Sequence, residues 1–217
     1  MKMNGRFDRF LEKRKADIIS AVLRLVDRKG LNGVTTKRIA LEVGVTEGAL
    51  YKHFRSKNEI FLRILEVTEL QLQEEYAGVA ARGLGPGQRI DALFSFLVAY
   101  LDEFPGLYRT VFSDALYAGD SELRQRFKTT IHGLKDSAEQ AIRAGVATGL
   151  FRPELDPHTS AIMYLGVVDT SFTLWSIFEE RSRGLAEVAQ PLFAEYMSSL
   201  HRGPASSVPA GPPAYPS

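Results

Sequence analysis

The sequence contains no cysteine among its 217 residues, and this absence excludes disulfide bonds and thiolate metal ligands. The basic N-terminus, residues 1–6, is not followed by an apolar stretch, so no secretory signal is predicted. Because nothing in the chain indicates export to an oxidising compartment, we expect a cytoplasmic protein.

Long apolar runs are also scarce. The longest weakly charged stretch, residues 159–178, has the length of a bilayer span, but it carries Asp169 near its centre and several serines and threonines around it. A central carboxylate is costly in lipid. The stretch is therefore predicted to be a helix buried against another helix or a second subunit, and no membrane span is expected.

The motifs of catalysis are missing as well. The four histidines have no metal-ligand spacing, and the chain has neither a nucleophile elbow nor a glycine-rich phosphate loop. We therefore predict no enzymatic activity, no metal site and no cofactor.

The formal net charge of +1 hides an asymmetry along the chain. Residues 1–57 carry 14 Lys and Arg against 6 Asp and Glu, a net +8, whereas the remainder carries 13 against 20, a net −7. A basic end on an acidic remainder indicates a protein that contacts nucleic acid with one end only. Taken alone, the pattern is also compatible with a solvated charged surface.

Helical periodicity dominates the sequence, and an all-α fold is predicted. Pro191 is expected to kink the last helix or to shift its start. Residues before position 12 are expected to form a solvated leader, with a basic arm of Arg6 and Arg9 in the DNA minor groove as the alternative. The predicted helices cover residues 12–29, 36–43, 47–54, 56–80, 88–103, 106–117, 121–147, 156–181 and 185–200.

Residues 35–54 are predicted to form a helix-turn-helix. Thr35 and Thr46 are suited to cap two short helices, and Gly44 separates them. Ser56 and Glu59 have the spacing of a capping box that begins the next helix. Two helices joined by a tight glycine turn place the second helix in the major groove of DNA.

The segments TTKRIA (35–40), GVTEG (44–48) and LYKHF (50–54) resemble the head signature of the TetR/AcrR family of bacterial transcription regulators. The resemblance implies a three-helix DNA-binding head that reads a palindromic operator as a homodimer, and a helical body that admits a small effector. It predicts a head over residues 12–72 and an effector-binding and dimerisation body over residues 73–202. Independently of the resemblance, residues 203–217 are nearly all Pro, Gly, Ser and Ala, and this composition predicts a disordered tail.

By position, the resemblance places Thr36, Lys37 and Lys57 at phosphates, and Tyr51 and His53 along the DNA backbone. Lysines and hydroxyls suit phosphate oxygens independently of any family. Near the bases, Ala49 offers only an apolar contact. Glu47 is able to accept a hydrogen bond from cytosine N4. The alternative is that Glu47 is simply exposed to solvent. The complete predicted DNA surface is Thr36, Lys37, Thr46, Glu47, Gly48, Ala49, Tyr51, Lys52, His53 and Lys57.

Aromatic residues are dense in the body, where they fill a core or line a mostly apolar ligand cavity with a few polar anchors. Asp169 needs a partner, which we expect across a dimer interface or in a cationic ligand. The candidate ligand residues are Phe104, Tyr108, Phe112, His132, Asp169, Phe172 and Trp175, with Arg109 and Thr170 as further polar anchors.

The two last helices offer a large apolar surface, and surfaces of this kind signal association. We predict a homodimer through these helices. The candidate interface residues are Ile162, Leu165, Val168, Val188, Leu192, Phe193 and Tyr196.

The sequence thus predicts a homodimeric repressor that a small, largely apolar ligand releases from its operator. The alternative is an effector-independent, DNA-bound interaction protein whose body recruits another protein. A solvent-connected cavity would favour the first function, and a fully packed body the second.

Overall fold

The computed structural model describes Phe7 and residues 9–111, 121–177 and 182–201, and all regular elements within them are helical. The predicted all-α fold is confirmed. A short 3-10 turn, Leu31–Gly33, follows the first helix. The α-helices are α1 Lys13–Lys29, α2 Thr36–Val43, α3 Glu47–Tyr51, α4 Lys57–Ala81, α5 Pro86–Glu103, α6 Pro105–Val111, α7 Ser121–Ala147, α8 Pro157–Ile177 and α9 Leu185–Leu200.

Most predicted helix bounds hold within a few residues, and two differences have local causes. Helix α3 ends at Tyr51 rather than at residue 54. Beyond Tyr51 the chain forms a tighter turn, in which the His53 N–H donates to the carbonyl of Leu50, three residues earlier, at 2.9 Å. Helix α5 begins at Pro86, since proline suits the first position of a helix. Predicted helical residues 112–117 and 178–181 and the predicted tail, residues 203–217, lie outside the described residues.

Pro191 lies inside α9, whose start at Leu185 is the one predicted from the sequence. Of the two expected effects of Pro191, the shift of the start is therefore wrong, and the kink stays a prediction. Asp156 caps α8, since its carboxylate accepts from the Thr159 N–H at 2.9 Å.

The predicted solvated leader is wrong from Phe7 onward. The Phe7 side chain is fully buried and packs edge-on against Phe104, with the ring centroids 5.0 Å apart. Leu11 is buried as well, and Arg9 forms a 2.8 Å ion pair with Glu74 of α4. Apolar burial explains the order of this segment, and Arg9 lies against α4 instead of forming a free arm.

The apolar core of the head extends into the body. The same cluster of buried side chains contains residues of α1–α4, Tyr100 of α5, Leu107 of α6, and Phe104 between these two helices. Helix α6 packs on α1, and a Cβ at Gly106 would overlap the carbonyl oxygen of Leu23. Only glycine allows this approach of the two backbones, so α6 of the body is seated directly on the head.

A second apolar core holds the rest of the body together. It lies between α5, α7, α8 and α9, and in it the Phe94 and Phe193 rings stack with centroids 3.9 Å apart. The second half of α4 packs on α7 at the edge of this core. In the described part of the chain, every helix is too short or too polar to cross a membrane.

Gly106→Ala should lower the free energy of unfolding by about 2 kcal/mol, because the added methyl group must displace the backbone of α1. Urea denaturation followed by circular dichroism measures this change. Gly78→Ala is the matched control, since a Cβ there meets no atom within 4 Å and alanine should stabilise the helix by about 0.5–1 kcal/mol. Equal stability of Gly106→Ala and the wild type would contradict the close α1–α6 contact.

Candidate functional site

The turn between α2 and α3 is built as the sequence predicts. Gly44 adopts φ 74° and ψ 39°, a left-handed conformation that favours glycine. The Val45 N–H closes the turn by donating to the Ala40 carbonyl at 2.9 Å. Thr46 then caps α3 by accepting from the Ala49 N–H at 3.1 Å. The buried side chains of Ile39, Ala40 and Leu50 hold both helices on α1, so the opposite side of α3 faces outward.

None of the ten predicted DNA-contacting residues is buried. Tyr51 retains 49% of its surface, whereas Phe54 is buried in the core. Thr36, Ala49, His53 and Lys57 are half-buried. The exposed members are Lys37, Thr46, Glu47, Gly48, Tyr51 and Lys52.

Glu47 is held by a contact that the sequence pattern did not indicate. The Thr36 hydroxyl donates to Glu47 Oε2 at 2.9 Å and so joins the first turn of α2 to that of α3. Because this proton is already donated, the phosphate contact predicted for the Thr36 hydroxyl would require the bond to break. The second oxygen of Glu47 remains able to accept from the amino group of a base.

The position of α2 on α1 depends on ion pairs that sequence spacing did not reveal. Glu42 accepts from Arg28 at 2.7 Å and from Arg24 at 3.3 Å. The hydrogen bond from Arg28, with help from Arg24, lowers the pKa of Glu42 below its usual value. The partners lie far apart along the chain, so only the folded packing of α1 against α2 brings them together.

Four of the predicted ligand residues cluster in the body core. Tyr108 donates to Asp169 and stacks on Phe172 with ring centroids 3.8 Å apart, and Phe172 packs on Trp175. Burial, together with the hydrogen bond to Asp169, raises the pKa of Tyr108. Asp169 therefore has its partner within the same subunit, instead of depending on a partner across a dimer interface.

The remaining predicted ligand residues do not join that cluster. Phe104 belongs to the core shared with the head, and His132 is exposed on α7. His132 lines neither the groove nor the inner cavity of the body, and a ligand contact by His132 stays a prediction. Phe112 lies outside the described residues. Of the further polar anchors, Arg109 donates to Ser176 Oγ at 3.2 Å, and Thr170 is exposed.

The predicted dimer residues divide into two groups. Val168, Phe193 and Tyr196 are at most 5% exposed in the single subunit, so their assignment to a dimer surface is corrected: they fill the subunit's own core. Leu165, Val188 and Leu192 are half-buried, whereas Ile162 is 51% exposed. Met163, which sequence analysis missed, is 55% exposed beside it.

Two neighbouring spaces in the body share lining residues of α4 and α7. A surface groove of about 320 Å³ lies between α4 and α7, with Leu72, Tyr76 and Leu134 among its lining residues. An apolar inner cavity of about 40 Å³ lies behind it and reaches Leu107 and Tyr108 of α6. The helical periodicity of the sequence did not indicate this groove, although the small residues Ala77, Ala80, Gly133 and Ser137 along its walls are a usable signal.

Two capped helices joined at a left-handed glycine, with lysines, hydroxyls and a helix N-terminus on the outer side, define a helix-turn-helix DNA-binding protein. Residues 18–64 match the bacterial regulatory proteins of the tetR family, and residues 111–197 match the C-terminal region of YsiA-like proteins. The chain belongs to the TetR family of bacterial transcription regulators. It is a DNA-binding regulator and not an enzyme.

Known proteins resemble the chain in sequence or in fold. The nucleoid occlusion factor SlmA of Vibrio cholerae is 29% identical over 131 residues, which cover 60% of this chain and 67% of SlmA. The regulator FadR of Bacillus subtilis, in complex with stearoyl-CoA, has a TM-score of 0.69 at 18% identity and covers 85% of this chain and 98% of FadR. AibR, in complex with isovaleryl coenzyme A and operator DNA, has a TM-score of 0.69 at 20% identity and covers 84% of this chain and 97% of AibR. These two structures share the fold.

Thr36→Val should reduce discrimination at one base position of the bound DNA about fivefold, because Glu47 loses the bond that orients it. Competition binding with operator fragments that differ at single positions measures this, after the operator has been selected in vitro. Thr36→Ser keeps the hydroxyl and should behave as the wild type. If Glu47→Ala abolished the base preference and Thr36→Val left it unchanged, Thr36 would have no positioning role.

Proposed function

We propose that the chain is a cytoplasmic homodimeric repressor that binds a palindromic operator and is released by a small, largely apolar ligand. The observation that carries the DNA-binding part is that none of the predicted contact residues, from α2 to the start of α4, is buried. In this proposal residues 12–72 bind DNA, and residues 73–202 bind the effector and form the dimer.

On DNA, Lys37 and Lys57 would contact phosphates from the first turns of α2 and α4, where helix dipoles also favour anions. Gly48 has no side chain to obstruct a base pair, and Ala49 offers a methyl group to thymine. Glu47 would read an amino group in the major groove. Two such heads would read half-sites about one helical turn apart or a multiple of it.

Dimerisation through α8 and α9 is supported by a strip of α8 that the subunit's own core leaves open. Ile162 and Met163 are about half exposed, and Thr159, Gly166 and Thr170 share this strip at helical spacing. Small residues beside two large apolar ones allow a second helix to approach closely.

Release by a ligand is supported by the solvent-connected groove on α4 and by two proteins of the same fold. FadR of Bacillus subtilis is bound to stearoyl-CoA, and AibR binds both isovaleryl coenzyme A and operator DNA. A ligand that binds more tightly to the conformer with wrongly spaced heads would weaken operator binding by this difference in affinity.

The second candidate function is that of an effector-independent DNA-bound interaction protein. It is favoured by the similarity to SlmA, which is named as a nucleoid occlusion factor. The ligand response separates the two functions. Operator binding that no apolar ligand weakens would favour the interaction protein, and loss of operator binding on ligand addition would favour the repressor.

Lys57→Ala should weaken binding to all DNA sequences alike and reduce the slope of log affinity against log salt concentration by about one unit for each bound subunit. Fluorescence anisotropy on the fragment of upstream DNA that carries the operator, repeated over a salt series, measures the slope. Arg143→Ala removes the same charge at the far end of α7 and should leave the slope unchanged. An unchanged slope in Lys57→Ala would contradict the phosphate contact.

Ile162→Glu should convert the dimer to a monomer, because a carboxylate would then lie between two apolar strips. Sedimentation equilibrium measures the mass in solution. Leu70→Glu, on an exposed apolar residue of α4, should stay dimeric. Dissociation by both variants, or by neither, would speak against a dimer through α8.

A further inference from the structure

Helix α4 passes from one apolar core into the other. Its first half, up to Val67, belongs to the core of the head, and Leu72 of its second half belongs to the core of the body. Between them, the buried residues of α4 are the polar Thr68 and Gln71, and the Tyr100 hydroxyl donates to Gln71 Oε1 at 2.5 Å. The head and the body thus meet along α4 at a polar boundary, where apolar packing is interrupted.

The chain that precedes α1 crosses this boundary. On the head side, Arg63 Nη2 of α4 donates to the Phe10 carbonyl at 3.2 Å. On the body side, Arg9 forms its 2.8 Å ion pair with Glu74 of α4. At 1.5 Å of rise per residue, Arg63 and Glu74 lie about 16 Å apart along the helix. Two neighbouring residues therefore hold α4 on both sides of the polar boundary.

The same segment contacts the body at a second place. The fully buried Phe7 ring packs edge-on against Phe104 with the centroids 5.0 Å apart, and Phe104 packs in the same way against Tyr100 at 5.3 Å. Phe104 lies directly before α6, the helix that packs on α1. Aromatic pairs of this kind bury a large area in a defined geometry. Phe7 thus supports the junction between α5 and α6 from the head side.

The segment is a direct continuation of the head. The Phe10 N–H closes a turn by donating to the Phe7 carbonyl at 3.0 Å, and α1 begins at Lys13 a few residues later. Leu11, between the turn and α1, is buried in the head core. A rotation of the head on the body must therefore pull the Phe7 ring away from Phe104 and expose apolar surface to water, which opposes the rotation.

We propose that Phe7 and residues 9–11, the N-terminal brace, fix the angle between the head and the body. Phe7 and Arg9 are positioning residues for DNA binding, because they act through Phe104 and α4 and not at the DNA. In a dimer this angle sets the separation of the two α3 helices, and so the spacing of half-sites that the protein accepts. This last step rests on the proposed homodimer on a palindromic operator, whereas the brace itself does not.

The lack of cysteine makes the angle directly measurable, because introduced cysteines are then the only labelling sites. Asn32 of the head and Ala147 at the end of α7 are both exposed. Spin labels on Asn32→Cys and Ala147→Cys of the full-length chain, diluted with unlabelled protein, report one distance within a subunit. Double electron–electron resonance should give a narrow distance distribution, and Phe7→Ala should widen it. A distribution that Phe7→Ala leaves unchanged would overturn the brace.

Operator fragments with one base pair added or removed between the half-sites test the effect on DNA binding. The wild type should prefer the selected spacing, and Phe7→Ala should lose about fivefold of this preference, since its heads adopt several separations of similar free energy. Phe7→Leu keeps a large apolar side chain in the core and should retain the preference. A wild-type preference in Phe7→Ala would overturn the positioning role.

A general loss of stability must not give the same result. Ile90 is fully buried in the core of the body, which is the core that does not contain Phe7. Ile90→Ala should therefore lower the melting temperature and leave the preferred spacing unchanged. If Ile90→Ala and Phe7→Ala lost the preference equally, the loss would follow from stability alone, and the positioning role would be overturned.

The surface ion pair offers a test that leaves the apolar core intact. Arg9→Glu places two carboxylates side by side and should reduce the spacing preference about twofold, a small effect because both side chains are exposed. Adding Glu74→Arg restores a pair of opposite charges and should restore the preference. An equal loss in the single and the double variant, or no loss in either, would overturn the role of Arg9.

The distance and the spacing measurements together separate this proposal from the proposed function. If the wild type binds fragments of every spacing equally, the dimer on a palindrome is overturned, and the distance distribution alone decides for or against the brace. If the wild type prefers one spacing and Phe7→Ala matches it in both measurements, the palindromic dimer is supported and the brace is overturned.

Discussion

The approach of α6 to α1 at Gly106 is the constraint on which the relation between the two halves of the molecule depends. The backbones are so close that a single methyl group has no room between them. Arg109 of the same helix adds an ion pair to Asp27 at 3.7 Å and a hydrogen bond to Ser176 of α8. Helix α6 is therefore fixed to the head on one side and to the body on the other, and close-packed contacts of this kind transmit displacements instead of absorbing them.

The head and the body are also joined along the chain. Helix α4 begins in the head and continues into the body. Helix α4 lines both the outer groove and the inner cavity, and α6 lines the inner cavity and packs on α1.

The local features of the head could be predicted from the sequence because they depend on residues close together in the chain. The caps at Thr35, Thr46 and Ser56 and the left-handed turn at Gly44 all lie where the pattern placed them. The pairing of Thr36 with Glu47 and the burial of Phe7 were not predictable, because each depends on elements that meet only after folding. In the body, helical periodicity identified apolar residues, but it did not separate the subunit's own core (Phe193) from surface left open (Met163).

The uneven charge of the chain has a consequence before any contact with DNA is made. The basic N-terminal part and the acidic remainder give the subunit an electric dipole. The electric field of the DNA orients this dipole, so that the basic head approaches the DNA first. Collisions are thereby selected for the productive orientation, and association is faster than the area of the reading surface alone would allow. The same acidic bodies repel one another, so that neighbouring molecules on a crowded stretch of DNA would keep their distance.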